Sequence, residues 1–213
     1  MSKKRYTAAD VEVVDTVRAH DGYFKVDTYR LKHRLFDGTM GPVLQREIFE
    51  RGHAVAVLPY DPVRDEIVLI EQFRPGAYAA LASGWFPENA SPWLVECVAG
   101  IIDPGETPED VAYREMVEEA GLPATDLFPA LQYLATPGGS SESIILYIGR
   151  VDASDVGGVH GLDHEGEDIR PYTVPLEKAY AAVTEGVMAN ATVVMAVQWL
   201  LLNKDKVLAK WLP

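Results

Sequence analysis

The sequence predicts an α/β domain built on a mixed sheet, with a small antiparallel β region ahead of it. Three observations carry this expectation. Short β-forming runs punctuated by Gly, Pro and Asp turns fill the first hundred residues or so. One strongly capped helix lies mid-chain, and further helical segments close the sequence. The 213 residues, 48% of them hydrophobic, suffice for one domain with a small accessory part and a buried core. The expected division is an N-terminal β region over residues 1–53 and a larger domain over residues 54–213.

Val11 to Arg18 and Phe24 to Leu35 read as strands joined at Asp21-Gly22, and Asp37-Gly38 forms a further turn before a strand from Val43 to Arg51. Ala54 to Tyr60 and Glu66 to Phe73 make a hairpin around Asp61-Pro62-Val63-Arg64-Asp65. Residues 75–92 show no clear period and carry three Pro and two Gly, so a long surface loop is predicted there. The apolar run Trp93 to Ala99 is a strand that delivers the chain into the central helix. Strands follow around Leu131 to Ala135 and Ser143 to Val151. A loop rich in Gly and Asp spans Asp152 to Asp168, ahead of a strand from Ile169 to Val174. Helices near Leu176 to Thr184 and Ala191 to Asn203 end the chain.

A net charge of −13 argues against nucleic acid or an anionic membrane as a surface-bound partner. The single Cys97 excludes an internal disulfide framework and fits a reducing compartment. Its apolar strand makes it a buried, inert thiol. Lys3-Lys4-Arg5 is basic, but no apolar stretch follows, so no secretory signal is expected. The apolar run Val193 to Leu202 is too short to span a bilayer and is interrupted by Gln198. These features predict a soluble, cytoplasmic protein.

Residues 100–122, GIIDPGETPEDVAYREMVEEAGL, combine a turn with an acidic helix. Thr107 is suited to the N-cap, Pro108 to the first helical position, and Gly121 followed by Pro123 to the stop. With Arg114 at 0°, Glu118 falls near about 40°, Glu115 near about 100° and Glu119 near about 140°. Ala112, Met116, Ala120, Tyr113 and Val117 occupy the opposite arc and are expected to face the core. Such an acidic face is ordinarily just solvated. The crowding costs roughly 0.2–0.5 kcal/mol per like-charge pair on an isolated helix. A hard divalent cation, Mg²⁺ or Mn²⁺, converts that repulsion into binding.

The spacing is more constrained than three glutamates. Gly100, five residues, Glu106, seven residues, then Arg114-Glu115-Met116-Val117-Glu118-Glu119-Ala120-Gly121-Leu122 resembles, with every fixed position filled, the signature box of the Nudix hydrolases. The resemblance implies an α/β/α sandwich whose box helix packs on the sheet, and a Mg²⁺-dependent hydrolase. It implies metal binding by Glu115, Glu119 and the carbonyl of Ala99, with Glu118 a further candidate. Arg114 stands four residues before Glu118 and is suited to hold that carboxylate in place. Glu106 is suited to orienting the turn.

His160-Gly161-Leu162 and the acidic run Asp163-His164-Glu165-Gly166-Glu167-Asp168 resemble the late loop of the bacterial ADP-ribose pyrophosphatase group. That likeness implies Glu165 as general base and Glu167 as an additional metal ligand, whereas such a loop alone would be read as solvated. Pro137, fifteen residues beyond Leu122 and followed by Gly138-Gly139 and Glu142, resembles the mark of the same group. Segments such as Arg46-Glu47-Ile48-Phe49-Glu50-Arg51-Gly52-His53-Ala54 extend the likeness along nearly the whole chain. The group implies ADP-ribose as substrate, Arg46 and Arg74 on its phosphates, Tyr23 stacked on adenine, and Gly139 and Glu142 in the substrate site. It also implies a homodimer formed through the N-terminal strands, with Tyr23 and Arg46 within reach of the neighbouring subunit's site. Residues 75–92 are longer than the group leads one to expect, and Tyr23 stands where Phe is expected. Three alternatives stay open: another nucleoside diphosphate sugar such as GDP-mannose, a non-catalytic nucleotide-binding Nudix protein, and a purely structural or calcium-buffering acidic helix.

Overall fold

A computed structural model describes residues 6–212, so Lys3-Lys4-Arg5 lies outside the described residues. The chain forms two compact units. One comprises the residues up to His53 together with Leu134–Ser143, and the other Ala54–Tyr133 and Ile144 onward.

In the first unit, strands β1 (Val11–Asp21), β2 (Lys25–His33) and β3 (Leu44–Glu50) form an antiparallel sheet in the order β1-β2-β3. Two register shifts, between Val13 and Asp15 and between Arg18 and His20, interrupt β1. The segment 134–143 joins this unit through backbone bonds from the amide of Phe49 to the carbonyl of Gly139 (2.8 Å) and from the amide of Ser141 to the carbonyl of Phe49 (3.3 Å). Sequence reasoning had placed that segment in the larger domain.

The second unit is a three-layer α/β/α sandwich. Its strands are β4 (His53–Asp61), β5 (Glu66–Phe73), β6 (Trp93–Glu96), β7 (Val98–Ile101), β8 (Asp126–Leu134), β9 (Ser143–Arg150) and β10 (Arg170–Pro175). The principal path runs β10-β5-β4-β9-β8, with β6 on β5 and β7 on β4. Alternation along the central strands explains the layering. Ala56, Leu58, Tyr60, Ile67, Leu69, Leu146 and Ile148 enter one apolar cluster. Val55, Val57, Val68, Ile70 and Tyr147 enter the other. The first is covered by α3 (Leu176–Thr184) and α4 (Ala191–Trp211), the second by α2 (Pro108–Ala120). Runs such as Ala54 to Tyr60 are apolar almost throughout because both faces of the sheet are buried.

Trp93 to Ile101 is nearly one strand broken at Cys97. Its first part pairs with β5 (Ile70 opposite Glu96) and its second with β4 (Ala56 opposite Ala99), so it wedges into the fork between the two hairpin strands. Cys97 is buried and free at the break. Continuing through Gly100, the wedge leads into the turn ahead of α2.

Two expectations are corrected. The segment 75–92 is not wholly loop: α1 spans Pro75–Leu81, because Pro75 suits the first turn and the Ala-rich run that follows favours helix. The final helix runs to Trp211 instead of ending at Asn203, since no breaker intervenes and Val207 and Trp211 are buried. The Trp211 indole donates to Asp126 at 2.8 Å. Leu69 is fully buried in the cluster under α3 and α4. Leu69→Ala should therefore lower unfolding free energy by about 2–5 kcal/mol, read from urea melts as a lower midpoint at unchanged slope.

Candidate active site

The turn into α2 and the helix itself are built as their residues dictate. The Thr107 side chain accepts from the amide of Asp110, and Asp110 returns a bond to the amide of Thr107, a reciprocal capping box. Gly121 ends the helix at φ 64°, and the amide of Leu122 reaches back to the carbonyl of Met116 at 3.0 Å. The rotational setting of the helix was not anticipated. Val111, Ala112, Met116, Glu119 and Ala120 are buried, whereas Tyr113 and Val117 are 40% and 51% exposed. The buried arc is centred near about 150° on the wheel, over Glu119, instead of on the wholly apolar side. Packing against the sheet therefore turns carboxylates inward.

Glu119 is 3% exposed, and its Oε2 accepts from the amide of Ala99 at 2.9 Å. Glu115 lies against Gly100 so closely that a Cβ there would fall 1.8 Å from Glu115 Oε1. Any side chain at position 100 would therefore force the Glu115 carboxylate to move. Burial pushes the Glu119 carboxyl up to about 8, with Glu115 and Glu167 adding to the rise while the Ala99 amide and the Arg74 charge oppose it. Burial pushes Glu115 up to about 7, against the Arg114 guanidinium and with help from Glu118 and Glu167.

Arg114 gathers the helix carboxylates. Its Nη1 donates to Glu115 Oε1 at 2.7 Å and to Glu118 Oε2 at 2.9 Å, and its Nε to Glu106 Oε1 at 3.2 Å. The Arg114–Glu118 bond anticipated from the four-residue spacing is therefore present, with two further partners. Burial works against the guanidinium charge, but its bonds to Glu106 and Glu118 outweigh that and hold it firmly protonated. Glu106 also accepts from the amide of Asp103 at 3.1 Å, which ties the turn to the same clamp.

The late loop is fastened to α2. The amide of Gly161 donates to the carbonyl of Glu118 at 3.0 Å, and the His160 ring packs where a Cβ on Gly121 would stand. His160 and Ile169 bond reciprocally and close the loop. Within it, the amide of Leu162 donates to Glu167 Oε2 at 3.0 Å, which leaves Glu167 within electrostatic range of Glu115 and Glu119. Glu165 sits on a short 3-10 turn with a side chain 56% exposed, its Oε1 3.8 Å from His164 Nε2. Among the described residues no three acidic, histidine or cysteine side chains stand gathered as a ready cation cage. Glu115, Glu119 and Glu167 are each turned to a local N–H donor.

Arg74 is half-exposed beside this cluster, close enough to lower the proton affinity of Glu119. The remaining candidates lie in the unit that contains the N-terminal sheet. Tyr23 is 87% exposed and meets Phe24 edge-on at 4.8 Å. Arg46 is exposed and donates to the carbonyl of Gln45 at 2.7 Å. Gly139 is held by the bond from Phe49. Glu142 accepts from Arg51 at 2.9 Å, and the Arg51 guanidinium stands 5.7 Å over the Phe24 ring.

Sequence reasoning missed Glu96. It is 6% exposed and accepts from Gln72, Arg74 and Asn190. One acid inside an otherwise apolar strand was the available signal, because a buried carboxylate requires partners.

The family model described as the NUDIX domain matches residues 50–196. The chain is 48% identical over 202 residues to the ADP-ribose pyrophosphatase of Escherichia coli strain K12, covering 95% of this chain and 93% of that protein. It is 39% identical over 209 residues to the ADP-ribose pyrophosphatase of Haemophilus influenzae, at 98% and 94% coverage. It is 33% identical over 163 residues to the GDP-mannose pyrophosphatase of Cronobacter sakazakii, at 75% and 78% coverage. A solved structure described as an ADP compounds hydrolase superposes with a TM-score of 0.67 at 21% identity, over 92% of this chain and 96% of that one, a likeness of fold.

The inward carboxylates set a pH dependence. A carboxyl raised in the folded state leaves the protein most stable where it is protonated in both states, with stability lost as pH rises to the folded value. The chelator-treated protein should thus lose melting temperature between about pH 4.5 and about pH 8, the span from the ordinary to the raised Glu119 value. Differential scanning calorimetry across that range should show the slope reduced in Glu119→Gln.

Proposed function

Because this chain belongs to the Nudix family, we propose that it hydrolyses ADP-ribose to AMP and ribose 5-phosphate. One observation carries the reading: a complete box, with its glutamates turned inward over Gly100, in a chain 48% identical over 95% of its length to an ADP-ribose pyrophosphatase. A hydrolase acting on diphosphate bonds follows from the family and these relatives together.

The donor set suits a hard divalent cation, Mg²⁺ or Mn²⁺. Glu115 and Glu119 take up protons readily because their charge is buried and poorly compensated, and the same deficit favours a cation. Glu115, Glu119, Glu167 and the carbonyl of Ala99 would hold it, and when bound it neutralises diphosphate charge and acidifies water. Glu165 accepts the proton of the attacking water. The water oxygen bonds to one phosphorus, the bond from that phosphorus to the bridging oxygen breaks, and attack at either phosphorus gives the same two products. Arg114 keeps Glu118 and Glu115 in place. Arg74 and Arg46 bind phosphate oxygens, for which a planar guanidinium is suited. Tyr23 stacks on adenine, and Gly139 and Glu142 line the sugar side. The glycine-flanked loop of Glu165 lets the site complete itself on binding.

The N-terminal region, residues 1–53, serves dimerisation, and residues 54–213 carry the chemistry. All eleven residues of β1 are exposed, including Val11, Val13, Val14 and Val17, an apolar surface suited to a second copy. The net charge of −13 and the single free buried cysteine support the reading of a cytoplasmic protein without nucleic-acid or anionic-membrane partners. No helix among the described residues is long and apolar enough to cross a membrane. The relative named GDP-mannose pyrophosphatase gives a second reading, in which GDP-mannose is the substrate.

Turnover on a panel of nucleoside diphosphate sugars separates the two readings: kcat/KM should be highest for ADP-ribose, and a preference for GDP-mannose would sink the substrate assignment. Glu119→Gln should lower kcat by at least about 100-fold with the fold intact by circular dichroism. Unchanged turnover would mean that the metal assignment is wrong.

A further inference from the structure

The buried carboxylate of Glu96 accepts from three side chains. Its Oε2 accepts from Arg74 Nε at 2.8 Å and from Gln72 Nε2 at 3.2 Å, and Arg74 Nη2 also lies 2.8 Å from it. Its Oε1 accepts from Asn190 Nδ2 at 2.7 Å. A carboxylate, with acceptors only, meets all of these donors at once, whereas an amide would turn an N–H toward one of them. Gln72 is 5% exposed on β5, and Asn190 caps α4 through Oδ1 to the amide of Thr192. The carboxylate is therefore braced from a strand and from the start of a helix.

The contact fixes one edge of the Arg74 guanidinium. The Arg74 backbone is fixed as well, its amide donating to the carbonyl of Pro92 at 2.9 Å and its carbonyl accepting from the amide of Tyr78 at 3.1 Å. With the Nε edge occupied by Glu96, the Nη1 side stays available, and the arginine remains 41% exposed beside the Glu119 cluster. A guanidinium held along one edge and open along the other is preorganised for phosphate oxygens, so less rotamer freedom is lost on binding.

We propose that Glu96 is the positioning residue that aims Arg74 at the substrate diphosphate, with Gln72 and Asn190 holding Glu96 in that setting. The inference rests on the assignment of Arg74 to the diphosphate under the proposed function. Glu96 itself touches no substrate; its effect passes through Arg74.

The test is a double-mutant cycle on ADP-ribose hydrolysis by the full chain, with melting temperature recorded for every variant. Glu96→Gln should raise KM at least about tenfold while kcat changes less than about threefold, because a diphosphate contact made equally in the ground and transition states appears in KM. In an Arg74→Ala background, Glu96→Gln should add less than about twofold to the loss in kcat/KM. A folded Glu96→Gln protein with wild-type KM, or full additivity of the two losses, overturns the proposal. Should Glu96→Gln fail to fold, Gln72→Leu supplies the second variant: a KM raised at least about threefold supports the proposal, and an unchanged KM overturns it. Absent turnover of ADP-ribose by the unmutated protein overturns the functional reading and this inference together, whereas normal turnover with an additive cycle overturns only the role of Glu96.

Discussion

Burial of carboxylates against the sheet is the constraint on which the site depends. The helix Pro108–Ala120 could have hidden a wholly apolar arc and left its acids in water. Instead it is set so that Glu119 is 3% exposed and Glu115 presses on Gly100, while Tyr113 and Val117 stay outside. Desolvation of two neighbouring acids is costly. It is offset only in part, by the Ala99 amide on Glu119 and the Arg114 guanidinium on Glu115. What remains is a local excess of negative charge that a proton relieves. Both carboxyls are raised in proton affinity for this one reason.

The scaffold that imposes this setting is the wedge strand Trp93 to Ile101. By pairing first with β5 and then with β4, it brings Glu96 and Ala99 onto adjoining parts of one sheet. Glu96 meets Arg74 at the end of β5, and Ala99 meets Glu119 on the helix. A single short segment therefore anchors both a guanidinium and the most buried carboxylate of the helix. The loop that carries Glu165 and Glu167 is tied to the same helix through Gly161 and the carbonyl of Glu118. The loop is closed by the reciprocal His160–Ile169 bonds, and Gly166 ends its 3-10 turn in the left-handed region at φ 71°.

Much of this was legible in the residues. The caps of the box helix, its start and its stop were readable because they depend on contacts within a few residues. The hairpin around Asp61 to Asp65 was readable for the same reason. The Arg114–Glu118 bond followed from helical spacing alone. The helix at Pro75–Leu81 was missed because the Gly and Pro content of the surrounding stretch outweighed the short Ala-rich run. The extension of the last helix to Trp211 was missed because it depends on burial of Val207 and Trp211 in a distant core.

The sequence by itself determined the chemistry on offer: which carboxylates share a helix, where that helix begins and ends, and which runs pair as a hairpin. These are matters of spacing and local hydrogen bonding, and they need no knowledge of distant neighbours. Only the tertiary structure decided which way the helix faces, that the Glu115 carboxylate lies against Gly100, and which acid holds Arg74. Those answers depend on packing between segments far apart in the chain. There, the helix buries Val111, Ala112, Met116 and Ala120 against the sheet and carries Glu119 and Glu115 inward with them, leaving Tyr113 and Val117 outside.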